Sequence, residues 1–468
     1  MFLRNKAHWL LGVMMFFSYV VKGQGYEIDL QIKGVALPEM YLGYYFGEKQ
    51  YVKDTASILT DISGVGHYQF KGEEPLKEGI YFIYHPEGVY FQMVPDEQAF
   101  ALKTDTLDLT GHMDIQHSPK NELFIGYEHF ITSQNNKAQQ IQQQLQALPE
   151  GATDQQKAFQ EQLMQLDQDV KARQSAVLTQ HPESMTAKII KATKRPEVPA
   201  SLGSQLERVI YYRSHFWDNF DLSDPALLRT QFYAPKVEEY MEKLTYPQPD
   251  SLFDSAVRLI ELSKGDEETF RYMVVNLSNQ FEMGKRIGAE NVFVKLAERY
   301  YLSGQATWAE EETISKIEER VNQLKPNLIG ERAPDLVLRD PEGNELNMAD
   351  HSAPFTVLFF YDPECGHCKK ETPKVLEAFH ELRDQGVEFW GVNTTTDTEK
   401  WLKYVEDKQM DWINGEDPYV QSNFRYDYDI RTTPIIYILD KDKKIIAKKI
   451  AAENITKFIE IYQKEGAN

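Results

Sequence analysis

Two cysteines are all that this chain of 468 residues contains, and they stand three positions apart, as Cys365 and Cys368 in Cys-Gly-His-Cys. A bridge between such near neighbours closes almost no loop and adds next to nothing to stability, so a chemical use remains. Before them, Phe355–Tyr361 (FTVLFFY) is a continuous apolar run, the pattern of a strand buried on both faces; a short turn and helix-forming sequence follow. That order predicts Cys365 at the opening of a helix, where unpaired N–H groups and the positive end of the helix dipole favour a thiolate. Cys368 falls on the same helical face and within reach of disulfide geometry. The chemistry is thiol–disulfide exchange through an exchangeable disulfide: Cys365 attacks a partner's disulfide and Cys368 resolves the mixed disulfide. Gly366 leaves room for another backbone, and His367 adds a cation or a hydrogen-bond donor. A tetrahedral metal site needs four ligands, and two cysteines do not supply them, so neither a metal nor another cofactor is expected.

The elements that must position this pair form a last module, 326–468, beginning at the break Lys325-Pro326-Asn327. Its order reads strand, strand, strand, helix, strand, helix, strand, strand, helix. The strands are 336–339, 345–348, Phe355–Tyr361, Val387–Asn393, 435–439 and 444–449; the helices start at the cysteines, over Thr398–Lys408 and at 454. This alternation predicts an α/β sheet with parallel crossovers. Upstream, 24–120 carries short aromatic and β-branched runs at 26–34, 40–46, 67–71, 79–85 and 88–94, read as a small β-sandwich or barrel-like domain. Over 121–325 the period becomes helical, giving an all-α middle domain. There Tyr211, Tyr212, Phe216, Trp217 and Phe220 suggest either a ligand box or a core stripe, and the spacing favours core.

Composition bounds the rest. The length asks for several domains, and 42% hydrophobic with 12% aromatic residues suffices for their cores. The net charge of −21 disfavours nucleic acid and anionic lipid surfaces as partners. At the amino terminus, Arg4 and Lys6 precede the uncharged stretch 9–21, with a cleavage pattern before Gln24. That is the layout of a signal peptide over 1–23, too short for an ordinary span. A periplasmic or otherwise exported protein is expected, soluble after signal cleavage, with no transmembrane span in the mature chain.

Strand, Cys-x-x-Cys and helix, with Pro373 five residues past Cys368 and Thr433-Pro434 before a late strand, together resemble the thioredoxin superfamily. ERAPDLVLRDPEGNELNMAD, CGHCKKETP and DIRTTPIIYILDKDKKII are similar to the TlpA/ResA-type branch of exported thiol–disulfide oxidoreductases, and the upstream part resembles the β-rich and helical extensions of Bacteroidetes envelope proteins. The resemblance implies a thioredoxin fold over 326–468, with Cys365 the nucleophile and Cys368 the resolving thiol. It implies a cis Pro434 facing the disulfide and the backbone of Thr433 free to pair with a substrate strand. Glu371, three residues past Cys368, would tune the cysteines and pass protons; alternatively it is a solvated helix carboxylate. Two positions depart from ordinary thioredoxins: Phe359 stands where an acid is usual, and Glu364 replaces the Trp before the first cysteine.

The function expected is a cell-envelope thiol–disulfide oxidoreductase acting on protein thiols or disulfides, with a redox partner that donates or accepts electrons. Its direction, reductant or isomerase, stays open. An alternative is a partner-binding envelope protein whose upstream domains dominate while the redox site is secondary. A thiol peroxidase is a further alternative, but its Pro-x-x-x-Ser/Thr-x-x-Cys signature meets Leu358 and Asp362.

Overall fold

The computed structural model describes residues 25–465 apart from 63, 150, 151 and 285, so the expected signal peptide lies outside the described residues. The described residues form two compact units: those up to 195 with 225–234, and 196–224 with those from 235 on.

The first unit opens with two sheets. One runs in the order Thr60–Ile62, Val65–Gly72, Tyr26–Lys33, Ala99–Asp105, Asp114–Gln116, and the other Lys49–Ser57, Glu39–Phe46, Tyr81–His85, Val89–Met93. Pairing is antiparallel except that Tyr26–Lys33 lies parallel to Ala99–Asp105. Alternation decides which side of each strand is dry: Ile28, Leu30 and Ile32 from one sheet and Met40, Leu42 and Ile83 from the other share one buried core, so the β-rich domain is a sandwich. Helices Pro119–Gln146, Thr153–Gln180 and Met185–Thr193 follow the sheets, and the short helix Pro225–Leu228 also belongs to this unit. The first starts where Ser118 accepts a hydrogen bond from the Asn121 N–H and Pro119 takes the first turn, which needs no donor there.

Helices of the second unit include Gln205–Ser214, Pro249–Leu262, Glu267–Glu282, Ala289–Leu296 and Glu311–Leu324. Phe216, Trp217 and Phe220 are buried around Tyr240, as a core stripe should be. Helix Gln205–Ser214 ends before these three, which lie in and just after the turn that follows it.

The same unit holds a five-stranded mixed sheet, in the order Ile413–Gly415, Val387–Asn393, Phe355–Tyr361, Ile435–Asp440, Ile445–Lys448. Every residue of the middle strand Phe355–Tyr361 is buried. Val357, Phe359 and Tyr361 enter one core with helix Gly366–Leu382, while Leu358 and Phe360 enter another with Tyr428 and Tyr437. A layer on each face holds the strand's end fixed, and the cysteines follow that end directly.

Candidate active site

Past Tyr361 the chain turns once. The Cys365 N–H donates to the Asp362 carbonyl at 3.1 Å and the Glu364 N–H to the Asp362 carboxylate at 2.7 Å. Helix Gly366–Leu382 then begins with Cys365 itself as the residue that caps it. A cap residue's side chain faces the free N–H groups two and three positions on, a place usually taken by a Ser or Asp oxygen. Here Cys365 stands in that position, its sulfur near those N–H groups but making no capping hydrogen bond. Burial alone would raise this thiol; the backbone N–H of Cys368, the Cys368 thiol, the side chain of Thr433 and the backbone N–H of His367 outweigh it, and the Cys365 thiol is held below its ordinary value.

Cys368 is fully buried, and burial pushes its thiol up to about 11. The Asp362 N–H donates to its sulfur at 3.5 Å and partly opposes the rise. Both thiols are unbridged. The two halves of the pair thus have opposite environments: one sulfur is partly exposed and stabilised as an anion, the other enclosed and kept protonated.

Opposite the pair, the Thr433–Pro434 peptide bond is cis. The Cys365 thiol donates to the Thr433 carbonyl at 3.4 Å, so the loop before strand Ile435–Asp440 lies against the exposed sulfur. Gly366 has open space where a side chain would be. His367 is exposed, and its backbone N–H is the part that acts on Cys365. Glu371 is half-buried and paired with Lys374 at 2.7 Å; Lys374 also reaches Glu453 at 3.2 Å.

Phe359 lies under the site in an aromatic layer, stacked on Tyr361 at 5.2 Å between centroids. The polar groups around Cys368 come instead from a place the sequence does not flag. The Thr372 hydroxyl donates to the Cys368 carbonyl at 2.8 Å and lies 2.8 Å from the Tyr404 hydroxyl; the Tyr361 hydroxyl accepts from the Trp401 ring N–H at 2.9 Å. Thr372 precedes Pro373 in the motif itself, but Tyr404 and Trp401 arrive from helix Thr398–Lys408, and no local pattern links them to the cysteines.

Residues 329–448 match the family model described as AhpC/TSA family, and 132–327 match one described as a domain of unknown function (DUF5106). The chain is 28% identical over 138 residues to thiol-disulfide oxidoreductase ResA of Geobacillus thermodenitrificans, which covers 28% of this chain and 76% of that protein. The crystal structure of a domain of possible thiol-disulfide isomerase from Cytophaga hutchinsonii is 39% identical over 30% of this chain and 96% of its own, at a TM-score of 0.29. A thioredoxin-like protein from Bacteroides caccae is 17% identical over 58% of this chain and 98% of its own, at a TM-score of 0.48. Among the described residues no helix is long and apolar enough to cross a membrane.

Proposed function

We propose that this chain, similar to the thioredoxin-like thiol–disulfide oxidoreductases, exchanges disulfides with protein substrates of the cell envelope through Cys365 and Cys368. The observation that carries this reading is the place of Cys365 at the opening of helix Gly366–Leu382, its sulfur 3.4 Å from the Thr433 carbonyl, with Cys368 buried behind it. In the reducing direction the Cys365 thiolate attacks one sulfur of a substrate disulfide. The substrate's other sulfur leaves as a thiolate and takes a proton from solvent. Cys368 then gives up its proton and attacks the Cys365 sulfur. The second substrate thiol is released, and two electrons have passed from the Cys365/Cys368 dithiol to the substrate. The opposite direction retraces these steps.

Thr433 and Pro434 line the approach, where the Thr433 backbone pairs with an extended substrate segment. Gly366 permits that approach, and Glu371, half-buried and three residues past Cys368 on the same helix, is the candidate to receive the proton Cys368 loses. The leader-like sequence at 1–23 supports an exported location. The test is a Cys368→Ser variant of the full chain, expected to accumulate mixed disulfides through Cys365 with envelope proteins. A variant that traps none, beside a parent that reduces no protein disulfide, sinks the reading. The match to the AhpC/TSA family favours one competing activity, hydroperoxide reduction, and hydroperoxide consumption by the parent at rates above those with a protein disulfide would replace this reading with that one.

A further inference from the structure

Within the second unit a group of charges, most of them buried, joins the helices before residue 328 to the redox module. Arg320, on helix Glu311–Leu324, makes a two-pronged contact with Asp429, at 2.7 and 3.0 Å. Asp429 is buried in left-handed backbone at φ 50°. Lys449 spans Asp429 at 3.3 Å and Glu290 at 2.6 Å, and Lys448 pairs with Glu290. Two more side chains of the same helical segment reach the same turn. Gln323 accepts from the Arg431 guanidinium at 2.5 Å, and Asn327 donates to the Asp427 carbonyl at 2.8 Å.

These contacts fall on Asp427, Asp429 and Arg431, immediately upstream of Thr433. From Arg431 to Pro434 the chain is a series of bends with exposed or half-exposed residues, ahead of strand Ile435–Asp440. The segment is therefore fastened at two ends: by the sheet, where Ile435 faces Phe360, and by Arg320, Gln323 and Asn327. Between the fastenings sits the Thr433 carbonyl that meets the Cys365 sulfur. A planar two-pronged guanidinium–carboxylate pair fixes direction as well as distance, which a Lys cannot do.

We propose that Arg320, with Gln323 and Asn327, is a positioning residue for the substrate-contacting loop, so that the helical segment sets how the redox site receives a protein disulfide. This rests on the exchange function proposed above. The loop would pair with the backbone of a protein substrate, whereas a small aromatic disulfide needs only the exposed Cys365 sulfur, and the two classes should separate.

The experiment uses the full chain, reduced, with dithiothreitol as the turnover reductant, and compares insulin with 5,5′-dithiobis(2-nitrobenzoate). Arg320→Met is expected to lower kcat/KM for insulin about tenfold, the size of effect that a displacement of a fraction of an ångström produces. The small disulfide should change by less than about twofold. The pH profile of Cys365 alkylation should move, since the Thr433 segment touches that sulfur, and Arg320→Lys should fall between parent and Arg320→Met. Equal losses on both substrates with an unmoved profile would overturn the proposal, and so would a folded Arg320→Met that behaves as the parent. If Arg320→Met does not fold, Gln323→Ala at a half-buried site carries the test, and unchanged insulin kinetics there overturn it. A parent inactive on both disulfides would refute the exchange function itself.

Discussion

Selective alkylation of the dithiol turns the asymmetry of the two sulfurs into a number. Cys368 ionises about two pH units above an ordinary thiol, at about 11 against 9.0, and Cys365 ionises below 9.0. Each unit is a factor of ten, so at pH 7 the thiolate fractions differ by at least about 100-fold. The more acidic thiolate is intrinsically the weaker nucleophile, and at a Brønsted slope near 0.4–0.5 this returns a factor of about ten. Access acts in the same direction as ionisation, since Cys368 is fully buried and Cys365 is not. A brief pulse of iodoacetamide at pH 7 should therefore label Cys365 over Cys368 by at least about tenfold, and the ratio should shrink as the pH approaches 11. Fragment-ion mapping of the peptide carrying both thiols reads the ratio directly. Equal labelling at pH 7, or a preference for Cys368, would refute the assignment of attacking and resolving sulfur together with the argument from the helix start behind it.

Three further outcomes follow from the same geometry. Glu371→Gln removes a charge near Cys368 while Lys374 stays, so thiolate absorbance should titrate at lower pH with stability nearly unchanged, and superimposed curves would leave Glu371 only as the partner of Lys374. Lys448→Met leaves the buried Glu290 with Lys449 as its close cation and should cost up to about 3 kcal/mol in urea unfolding, below the roughly 3–5 kcal/mol of a wholly stranded buried charge, whereas Glu290→Gln with Lys448→Met should cost less; additive losses would contradict a coupled pair. Burial would raise the carboxyls of Glu290 and Asp429, but Lys448 and Lys449 at the first and Arg320 at the second outweigh it and hold both low. Their stabilisation is thus present above the ordinary values of 4.5 and 3.8 and lost as pH falls through the lower folded values, and Glu290→Gln should flatten the acid limb of a pH–stability curve.

The redox module was legible because its signals are local. The run Phe355–Tyr361, the cysteine spacing and Thr433-Pro434 each declare themselves within a few residues. The strand Lys49–Ser57 (KQYVKDTAS) did not, because it is an edge strand exposed along most of its length and held by pairing with Glu39–Phe46 rather than by an apolar face. Ile413–Gly415 is three residues long and leaves no period to read. The run at 289–303 reads as one helix, yet it passes at Ala297 into a wider π-helical turn that ends at Leu302. Glu290, Arg320, Asp429 and Lys448 were invisible as a group, since each sits in sequence that suits a solvated charge and only tertiary packing buries them together. The hydroxyls of Thr372 and Tyr404 near Cys368 were hidden for the same reason.

In the sandwich, strand Tyr26–Lys33 occupies the middle of its sheet, with Val65–Gly72 on one side and Ala99–Asp105 parallel to it on the other. A chain that emerges amino terminus first delivers this strand before either neighbour exists. Its antiparallel partner Val65–Gly72 can join first, but the parallel edge stays open until Ala99–Asp105 has cleared the exit. During that interval Ile28, Leu30 and Ile32 and a full row of backbone donors and acceptors are uncovered. The nascent sandwich therefore has a window of vulnerability set by topology rather than by sequence, and a holding chaperone would be needed most just before residue 105 appears.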